Sequence, residues 1–300
     1  MILNLPKEVT IIEVGPRDGL QNDKSLVPTD VKIQFIQALK AAGIKEMELT
    51  SFVSPKWVPQ MSDAMEIVNA IEDLARNIVL TPNRKGVDRA LEAGCAAVAV
   101  FVGVSNTFNQ KNINKTTAES LAELGPIISE LKEKNVFVRA CISTSFYCPY
   151  EGKIKVEEVV KLCAAFVDFG VDELSVADTI GMANPIESYE LFSRLREQFP
   201  KTLLTAHFHD TRGMAIANVF AALQAGITRF DTSAGGLGGC PFAKGATGNV
   251  STEDVVFMLH QMGIETGISL SGVKKAVDII RPHISGHIDS KYDRIQLANK

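Results

Sequence analysis

Short runs of apolar and β-branched residues recur about every 20 to 40 residues along the chain, and segments with helical spacing lie between them. Runs of about four to eight such residues are typical of strands that are buried on both faces of a parallel sheet. They predict eight strands, at residues 9–14, 46–50, 78–81, 97–103, 136–143, 173–178, 203–209 and 229–233.

Apolar residues at three- and four-residue steps predict helices in the intervals. The clearest stripe consists of Val156, Val159, Val160, Cys163, Phe166 and Val167. Further helices are predicted at residues 31–42, 85–93, 117–124, 126–134, 185–199, 214–225 and 255–262, with one extra helix at 269–282. We expect Gly125 and Pro126 to separate two of these helices, because proline suits the first helical turn.

Alternating strands and helices, with no signal for a strand–strand hairpin, favour parallel βαβ units. An open doubly wound sheet is the alternative, but no GxGxxG or Walker-type turn follows the first strand. Eight repeats therefore predict an α/β fold, a closed (β/α)8 TIM barrel at about residues 9–262, with a short C-terminal helical extension at 263–300. No linker rich in Ser, Pro or Gly divides the sequence, so residues 1–300 are expected to form one domain.

The composition of the chain excludes several classes of protein. The chain is 46% hydrophobic and 22% charged with a net charge of −4, which is typical of a globular protein and excludes disorder. No Lys/Arg cluster is interleaved with aromatic residues, and the longest apolar stretch is about half a membrane span. The first ten residues resemble neither a secretory signal nor a presequence, and the five cysteines form no CxxC pair. We expect a cytoplasmic protein that binds neither nucleic acid nor membrane.

Polar residues gather where the predicted strands end. The C-terminal ends of barrel strands carry the reacting groups of barrel enzymes, so this placement indicates an active site. The residues concerned are Arg17 and Asp18 after the first strand, Glu48 and Ser51 at the second, Asp178 at the sixth, His207 and His209 at the seventh, and Cys240 and Asn249 after the eighth.

His207 and His209 are the sharpest pair. Side chains at i and i+2 share one face of a strand, so two imidazoles about 7 Å apart can bind one ion. Asp18 is the best further ligand, because the first strand of a closed barrel lies beside the eighth, and Asn249 could add an amide oxygen. This donor set suits Mg²⁺ or Mn²⁺ at an open site, although Zn²⁺ or Co²⁺ could also bind. The alternative is a pair of hydrogen-bonded core histidines.

Arg17, Glu48 and Cys240 each allow a chemical and a structural interpretation. Arg17 can stabilise an oxyanion or enolate, or form a surface ion pair, and Glu48 can orient Arg17. Cys240 lies among glycines at 235, 236, 238 and 239, in a loop that could close over the metal as a lid or could hold an inert thiol. The stiff segment 51–60, which holds the single tryptophan, could pack on substrate or merely connect elements. Cys95, Cys141 and Cys163 lie on apolar runs and are interpreted as core.

Four motifs together resemble one enzyme family. The string VGPRDGLQN at 14–22 is similar to the signature of metal-dependent lyases and Claisen-type synthases built on a TIM barrel, with Gly19 where that superfamily usually has Glu. Together with SFVSPKWVPQ at 51–60, HFHDTRG at 207–213 and GGLGGCPFAKGATGN at 235–249, it resembles the 3-hydroxy-3-methylglutaryl-CoA lyase family over nearly the whole chain.

The resemblance implies cleavage of 3-hydroxy-3-methylglutaryl-CoA into acetyl-CoA and acetoacetate, a chemistry of the leucine-degradation and ketone-body type, with a divalent cation as cofactor and an acyl-CoA as partner. By the same resemblance, Asp18, His207, His209 and Asn249 match metal ligands, and Arg17 matches the catalytic arginine. Glu48 would support Arg17, Asp178 would be an active-site carboxylate, His207 or Asp18 a base, and Cys240 the loop cysteine that serves as acid or base. Gln21 and Ser51 join Arg17 as expected substrate contacts.

Two other functions stay open at this point. A Claisen-condensing acyltransferase would join acetyl-CoA to a 2-oxo acid on the same barrel, and an assay with those substrates would reveal it. The second alternative is a metal-binding scaffold without enzymatic activity, which is less favoured because it would leave Arg17 and Cys240 without a function. The oligomeric state is also open, with a homodimer as one option.

Overall fold

The computed structural model describes residues 5–72, 74–239 and 248–298, and within these residues eight parallel strands close into a barrel. In chain order the strands are β1 (Thr10–Glu13), β2 (Glu46–Ser51), β3 (Arg76–Leu80), β4 (Ala97–Gly103), β5 (Phe137–Ser143), the hairpin strands β6 (Tyr147–Cys148) and β7 (Gly152–Lys153), β8 (Glu173–Asp178), β9 (Leu203–Phe208) and β10 (Arg229–Thr232). β1 pairs with both β10 and β2, which closes the ring. The predicted (β/α)8 barrel is confirmed.

Helices surround the barrel in the positions expected for βα units. They are α1 (Thr29–Ala41), α2 (Ala64–Ala70), α3 (Arg84–Glu92), α4 (Asn106–Ile113), α5 (Thr117–Glu133), α6 (Val156–Asp168), α7 (Pro185–Gln198), α8 (Ala215–Gln224) and α9 (Thr252–Gln261), followed by α10 (Leu270–Ile280) and α11 (Lys291–Ala298). Among the described residues, no helix is both long and apolar enough to cross a membrane.

Three local expectations were wrong. A hairpin, β6–β7, follows β5. The sequence showed no signal for it because each of its strands is only two residues long. The extension contains α11 as well as the expected helix at α10. The third, α5, runs through Pro126 without a break.

The continuous course of α5 has a physical cause. A proline inside a helix costs about 3 kcal/mol, because it removes a hydrogen bond and crowds the preceding turn. The helix buries Leu124, Ile127, Ile128 and Leu131 on both sides of Pro126, and each buried aliphatic side chain stabilises by about 1.5–3 kcal/mol. Burial therefore outweighs the proline.

The barrel interior contains an apolar cluster and a network of ion pairs. Ile12, Ile78, Leu80 and Ala99 belong to a buried apolar cluster contributed by β1, β3 and β4. The interior also carries ion pairs from β2, β5, β8 and β10, which include Arg139, Glu173, Glu46, Arg229 and Asp231. Charged residues inside a barrel are stable only when paired, which explains why these side chains form a network of ion pairs.

Candidate active site

A single π-helical turn, Gly15–Gly19, follows β1 and carries Arg17 and Asp18 to the mouth of the barrel. The amides of Arg17, Asp18 and Gly19 all donate to the carbonyl of Val14. Such turns occur frequently at functional sites. A Cβ on Gly19 would lie 2.8 Å from Ser233 Oγ and 2.9 Å from Leu237 Cβ, which explains why this chain has no larger residue there.

Asn249 is brought to His209 by a short stretch of backbone pairing. Val250 N donates to Phe208 O at 3.0 Å, and His209 and Asn249 form an antiparallel bridge. The loop after β10 therefore returns beside the end of β9. This pairing places an amide next to the imidazoles although the two residues lie far apart in the sequence.

Asp18, His207 and His209 form a candidate metal site. Each offers one ligand atom, and these atoms lie within 4.8 Å of one another; no other group of three His, Cys, Asp or Glu residues in the described chain does so. His209 Nε2 lies 3.8 Å from Asp18 Oδ2, and Asn249 Oδ1 is buried without a hydrogen-bond partner among the described residues, as expected of a lone pair reserved for a cation. Two imidazole nitrogens, a carboxylate oxygen and an amide oxygen fit a divalent cation.

The pKa shifts of Asp18 and His209 favour the deprotonated forms that bind a metal ion. Burial raises the pKa of Asp18, but the Arg17 guanidinium and the two imidazoles more than offset this and hold that pKa below its ordinary range. Burial, with the neighbouring His207, lowers the pKa of His209 to about 4, so its ring is neutral near pH 7. Ligands to divalent cations must be deprotonated in this way.

His207 is held by a partner that the sequence did not reveal. Its Nδ1 lies 3.0 Å from Asp231 Oδ2, which also accepts a 2.8 Å hydrogen bond from Ser175 Oγ. Burial raises the pKa of Asp231, but Arg139 and His207 lower it below the ordinary range, so the carboxylate stays ionised. An ionised carboxylate only accepts, so His207 donates from Nδ1 and turns its Nε2 toward the site.

Six groups form a chain of alternating charge around the site. Arg17 Nη1 lies 2.5 Å from Asp18 Oδ1, and Arg17 Nε donates to Glu48 Oε2 at 2.6 Å. Glu48 Oε1 lies 3.4 Å from Arg139 Nη1, and Arg139 Nη2 donates to both oxygens of Asp231, which holds His207. The Arg17 guanidinium is thus fixed in position by Glu48, as the sequence suggested.

Arg139 and Asp231 were not predicted as site residues from the sequence, because they lie inside strands rather than at strand ends. Arg139 is fully buried in the apolar run of β5, and Asp231 is 2% exposed in β10. A charged residue in the middle of a predicted buried strand was the available signal, since such a group needs a partner.

The structure corrects the expectation that Asp178 faces the site. Asp178 pairs in register with Phe208, on the face of the sheet that points away from the barrel axis, and the described cavity wall does not include it. Its carboxylate accepts from the amides of Met182 and Ala183 at 3.0 and 2.9 Å. Burial raises its pKa to about 6. Asp178 shapes the loop that carries Thr179, a residue of the cavity wall.

Gln21 and Ser51 both line the cavity, with the Ser51 hydroxyl donating to Leu80 O at 3.1 Å. Cys240 lies outside the described residues. Gly239, which precedes Cys240, belongs to the cavity wall, and its carbonyl accepts a 3.0 Å hydrogen bond from Asn22 Nδ2.

The cavity has a volume of about 900 Å³, near the upper end for small-molecule sites. Arg17, His207 and His209 lie on its wall together with Trp57 and Lys111. The site therefore has room for a ligand considerably larger than the group that reacts.

A model of the family described as HMGL-like matches residues 8–280. The chain belongs to this family. The assignment agrees with the resemblance carried by the four motifs.

Curated and solved relatives support the assignment over almost the whole chain. A hydroxymethylglutaryl-CoA lyase of Bacillus subtilis is 46% identical over 288 residues, which cover 95% of this chain and 96% of the relative. The crystal structure of hydroxymethylglutaryl-CoA lyase from Pseudomonas aeruginosa superposes with a TM-score of 0.95 at 40% identity and covers 99% of this chain and 100% of that one. An HMG-CoA lyase structure from Acinetobacter baumannii, in complex with coenzyme A and 3-methylmalate, has a TM-score of 0.91 at 37% identity over 96% of this chain and 95% of that one.

Proposed function

We propose that this chain cleaves 3-hydroxy-3-methylglutaryl-CoA into acetyl-CoA and acetoacetate, and that Asp18, His207, His209 and Asn249 hold the divalent cation on which the reaction depends. The observation that carries the proposal is the convergence of the donor atoms of Asp18, His207 and His209 within 4.8 Å. They share a cavity of about 900 Å³ with the buried Arg17. The names of the relatives support the choice of substrate.

The reaction breaks the bond between C2 and C3 of the acyl group. The C3 hydroxyl loses its proton and becomes the ketone of acetoacetate, while the electron pair of the broken bond passes to C2 as a thioester enolate. A proton then adds to C2 and gives the methyl group of acetyl-CoA. The site must therefore accept one proton, stabilise one enolate oxygen and deliver one proton.

Mg²⁺ or Mn²⁺ is the cation that this donor set favours, because nitrogen is limited to two imidazoles and the other donors are oxygens. Bound here, the cation lowers the pKa of a hydroxyl group on the substrate. Asp18 and His207, which lie at the same point of the cavity, are the candidate bases for the C3 hydroxyl proton.

Arg17 stabilises the enolate oxygen. Arg17 is 8% exposed and its guanidinium is held by Glu48 and Asp18, so little reorganisation is needed when negative charge develops. Glu48 does not act on substrate itself: its two oxygens contact Arg17 and Arg139. It is a positioning residue.

Cys240 delivers the proton to C2. A neutral thiol has a pKa of about 8.5, close to the working pH, which suits a general acid. Gly239, which precedes Cys240 in the sequence, belongs to the cavity wall.

The direct test is mass analysis of products. Purified protein treated with EDTA is incubated with 3-hydroxy-3-methylglutaryl-CoA, with and without added Mg²⁺ or Mn²⁺. We expect equal amounts of acetyl-CoA and acetoacetate, formed only with the added cation. Absence of cleavage with either cation, together with condensation of acetyl-CoA and a 2-oxo acid, would overturn the proposal.

A further inference from the structure

The barrel strands contribute four apolar side chains to the wall of the cavity. Among the described residues these are Leu80 on β3, Phe101 on β4, Cys141 on β5 and Ala177 on β8, and together we call them the apolar wall. The four strands are neighbours in the ring. Phe101 pairs in register with Cys141, and Ala177 pairs with His207. The apolar wall therefore extends along the barrel as far as one of the candidate metal ligands.

Cys141 lies in a different place from the one expected. The sequence predicts it as a core residue, whereas the structure packs it against the buried apolar cluster and leaves it partly exposed on the cavity wall. Burial, together with the Glu48 carboxylate, raises the pKa of the Cys141 thiol well above its ordinary range. The thiol is then uncharged at neutral pH and a poor acid, so it acts as a small apolar group.

The apolar wall faces the residues that would hold the reacting atoms. In the ring of strands β5 lies opposite β1, and the turn after β1 carries Arg17 and Asp18. The charges of Glu48, Arg139 and Arg17 all act on the Cys141 thiol across this space. One side of the inner cavity is therefore charged and the other side is apolar.

Carbon C3 of the proposed substrate carries four different substituents. Its hydroxyl group is directed toward the metal-binding residues, and C2 leads to the thioester whose oxygen Arg17 stabilises. C4 leads to the free carboxylate, which needs a polar partner when it leaves water. The methyl group needs no polar partner and gains from contact with an apolar surface. The apolar wall is the surface of this kind that the barrel strands provide.

We propose that the apolar wall binds the alkyl group on C3 of the substrate, and that Cys141 sets the largest alkyl group that the site accepts. The assignment rests on the proposed function for its substrate. A methyl group does not cover a surface that spans four strands, and Cys141 and Ala177 are both short side chains. The inference therefore extends the substrate range to the thioester that carries an ethyl group on C3.

The wild-type protein tests this range directly. We expect the ethyl thioester to be cleaved with a kcat/KM within about fourfold of that of the methyl thioester, because one further methylene group gains apolar contact and displaces no side chain. A pocket closed around the methyl group would instead reject the extra methylene about tenfold or more. A deficit of that size for the ethyl thioester would overturn the extended range.

Substitutions of Cys141 should change the selectivity between the two thioesters. Cys141→Leu fills the space and should lower the ratio of kcat/KM, ethyl over methyl, about tenfold. Cys141→Ala should raise this ratio, which provides a test of opposite sign if the larger residue impairs folding. Cys141→Ser is the matched control, since serine has nearly the size of cysteine and should keep the ratio of the wild type. An unchanged ratio in both Cys141→Leu and Cys141→Ala would overturn the role of Cys141.

Truncated substrates distinguish the alkyl group from the CoA arm. N-acetylcysteamine thioesters of the methyl and ethyl acids lack the nucleotide end and should show the same dependence on Cys141. An equal loss of kcat/KM for both acyl groups in Cys141→Leu would show that the apolar wall contacts a part that the substrates share. That result would contradict the inference while the proposed function stands. Absence of cleavage of either CoA thioester by the wild type would overturn both.

Discussion

Asn249 Nδ2 donates a 2.8 Å hydrogen bond to Asp18 Oδ2, which joins the segment after β10 to the turn after β1. The same amide leaves Oδ1 buried without a partner among the described residues. An unpaired buried carbonyl oxygen costs about 1–3 kcal/mol unless something binds it. The arrangement fits a residue that orients one ligand of a cation and serves as another.

Asn249→Ala should therefore weaken Mn²⁺ binding about 10- to 100-fold, because it removes one ligand and the hydrogen bond that orients Asp18. Isothermal titration calorimetry on protein freed of metal measures the change. Asn77→Ala is the matched control, since Asn77 is a partly buried asparagine that donates to Ile71 O and is not part of the cavity wall. Equal affinities in the two variants would contradict the role of Asn249.

Asp231→Asn should affect both stability and metal binding. The substitution leaves the fully buried Arg139 without its closest counter-charge, and breaking a buried pair costs about 3 kcal/mol or more. It also weakens the bond that fixes the His207 ring, so we expect about tenfold weaker Mn²⁺ binding.

Ser175→Ala is the mild comparison for Asp231→Asn, because it removes one hydrogen bond to the same carboxylate and should cost about 1 kcal/mol. Urea unfolding measures the free energy of unfolding of each variant, and titration with Mn²⁺ measures its affinity for the metal. A fully stable Asp231→Asn protein would show that the charge network is not needed for the fold.

Glu13 should make stability depend on pH. Burial raises its pKa from the ordinary 4.5 to about 8, although amides of Gly15 and Ala234 and the Thr252 hydroxyl donate to its carboxyl group. The folded protein then binds a proton that the unfolded chain releases above pH 4.5. The stabilisation by protonated Glu13 is present below pH 4.5 and is lost as the pH rises toward 8.

Glu13→Gln keeps an uncharged acceptor in the same place and should remove this dependence. The ratio of unfolding equilibrium constants, wild type over variant, should rise between pH 5 and 8 by at most about tenfold per unit. Urea unfolding at pH 5, 6.5 and 8 measures it. Glu253, whose pKa burial raises to about 7, titrates in both proteins and largely cancels in the ratio. A ratio that is constant over this range would mean that Glu13 is ionised in the folded protein.

Cys240→Ala should lower kcat about 100-fold or more and leave Mn²⁺ affinity unchanged, because a general acid contributes about 10²- to 10⁴-fold and is not a ligand here. Cys95→Ala, at a buried cysteine that is not part of the cavity wall, should retain normal turnover. Normal turnover by Cys240→Ala would remove the thiol from the mechanism.

The architecture could be read from the sequence because strands of a closed parallel barrel are buried on both faces. Residues 97–103 show this as an uninterrupted apolar run, and the predicted bounds of residues 97–103 and 173–178 agree with β4 and β8. Pro126 shows the limit of local signals, since packing of α5 against its neighbours overrides them. The cytoplasmic location, the single domain and the homodimer stay predictions.

The metal-binding histidines could be predicted from the sequence because side chains at i and i+2 on a strand share a face. Asp178 was misplaced because every polar residue at a strand end was expected to face the cavity, whereas side chains alternate along a strand and Asp178, paired with Phe208, falls on the outer face. Arg139 and Asp231 lie 92 positions apart in the sequence, and no local sequence pattern predicts which buried charged residues form a pair.

Electron paramagnetic resonance of Mn²⁺ added to metal-free protein measures the occupancy of the metal site most directly. The account predicts one bound Mn²⁺ per wild-type chain, and loss of that ion together with loss of cleavage in the folded His207→Ala and His209→Ala variants. A wild-type chain that binds no Mn²⁺, or variants that keep the ion at full affinity, would contradict it.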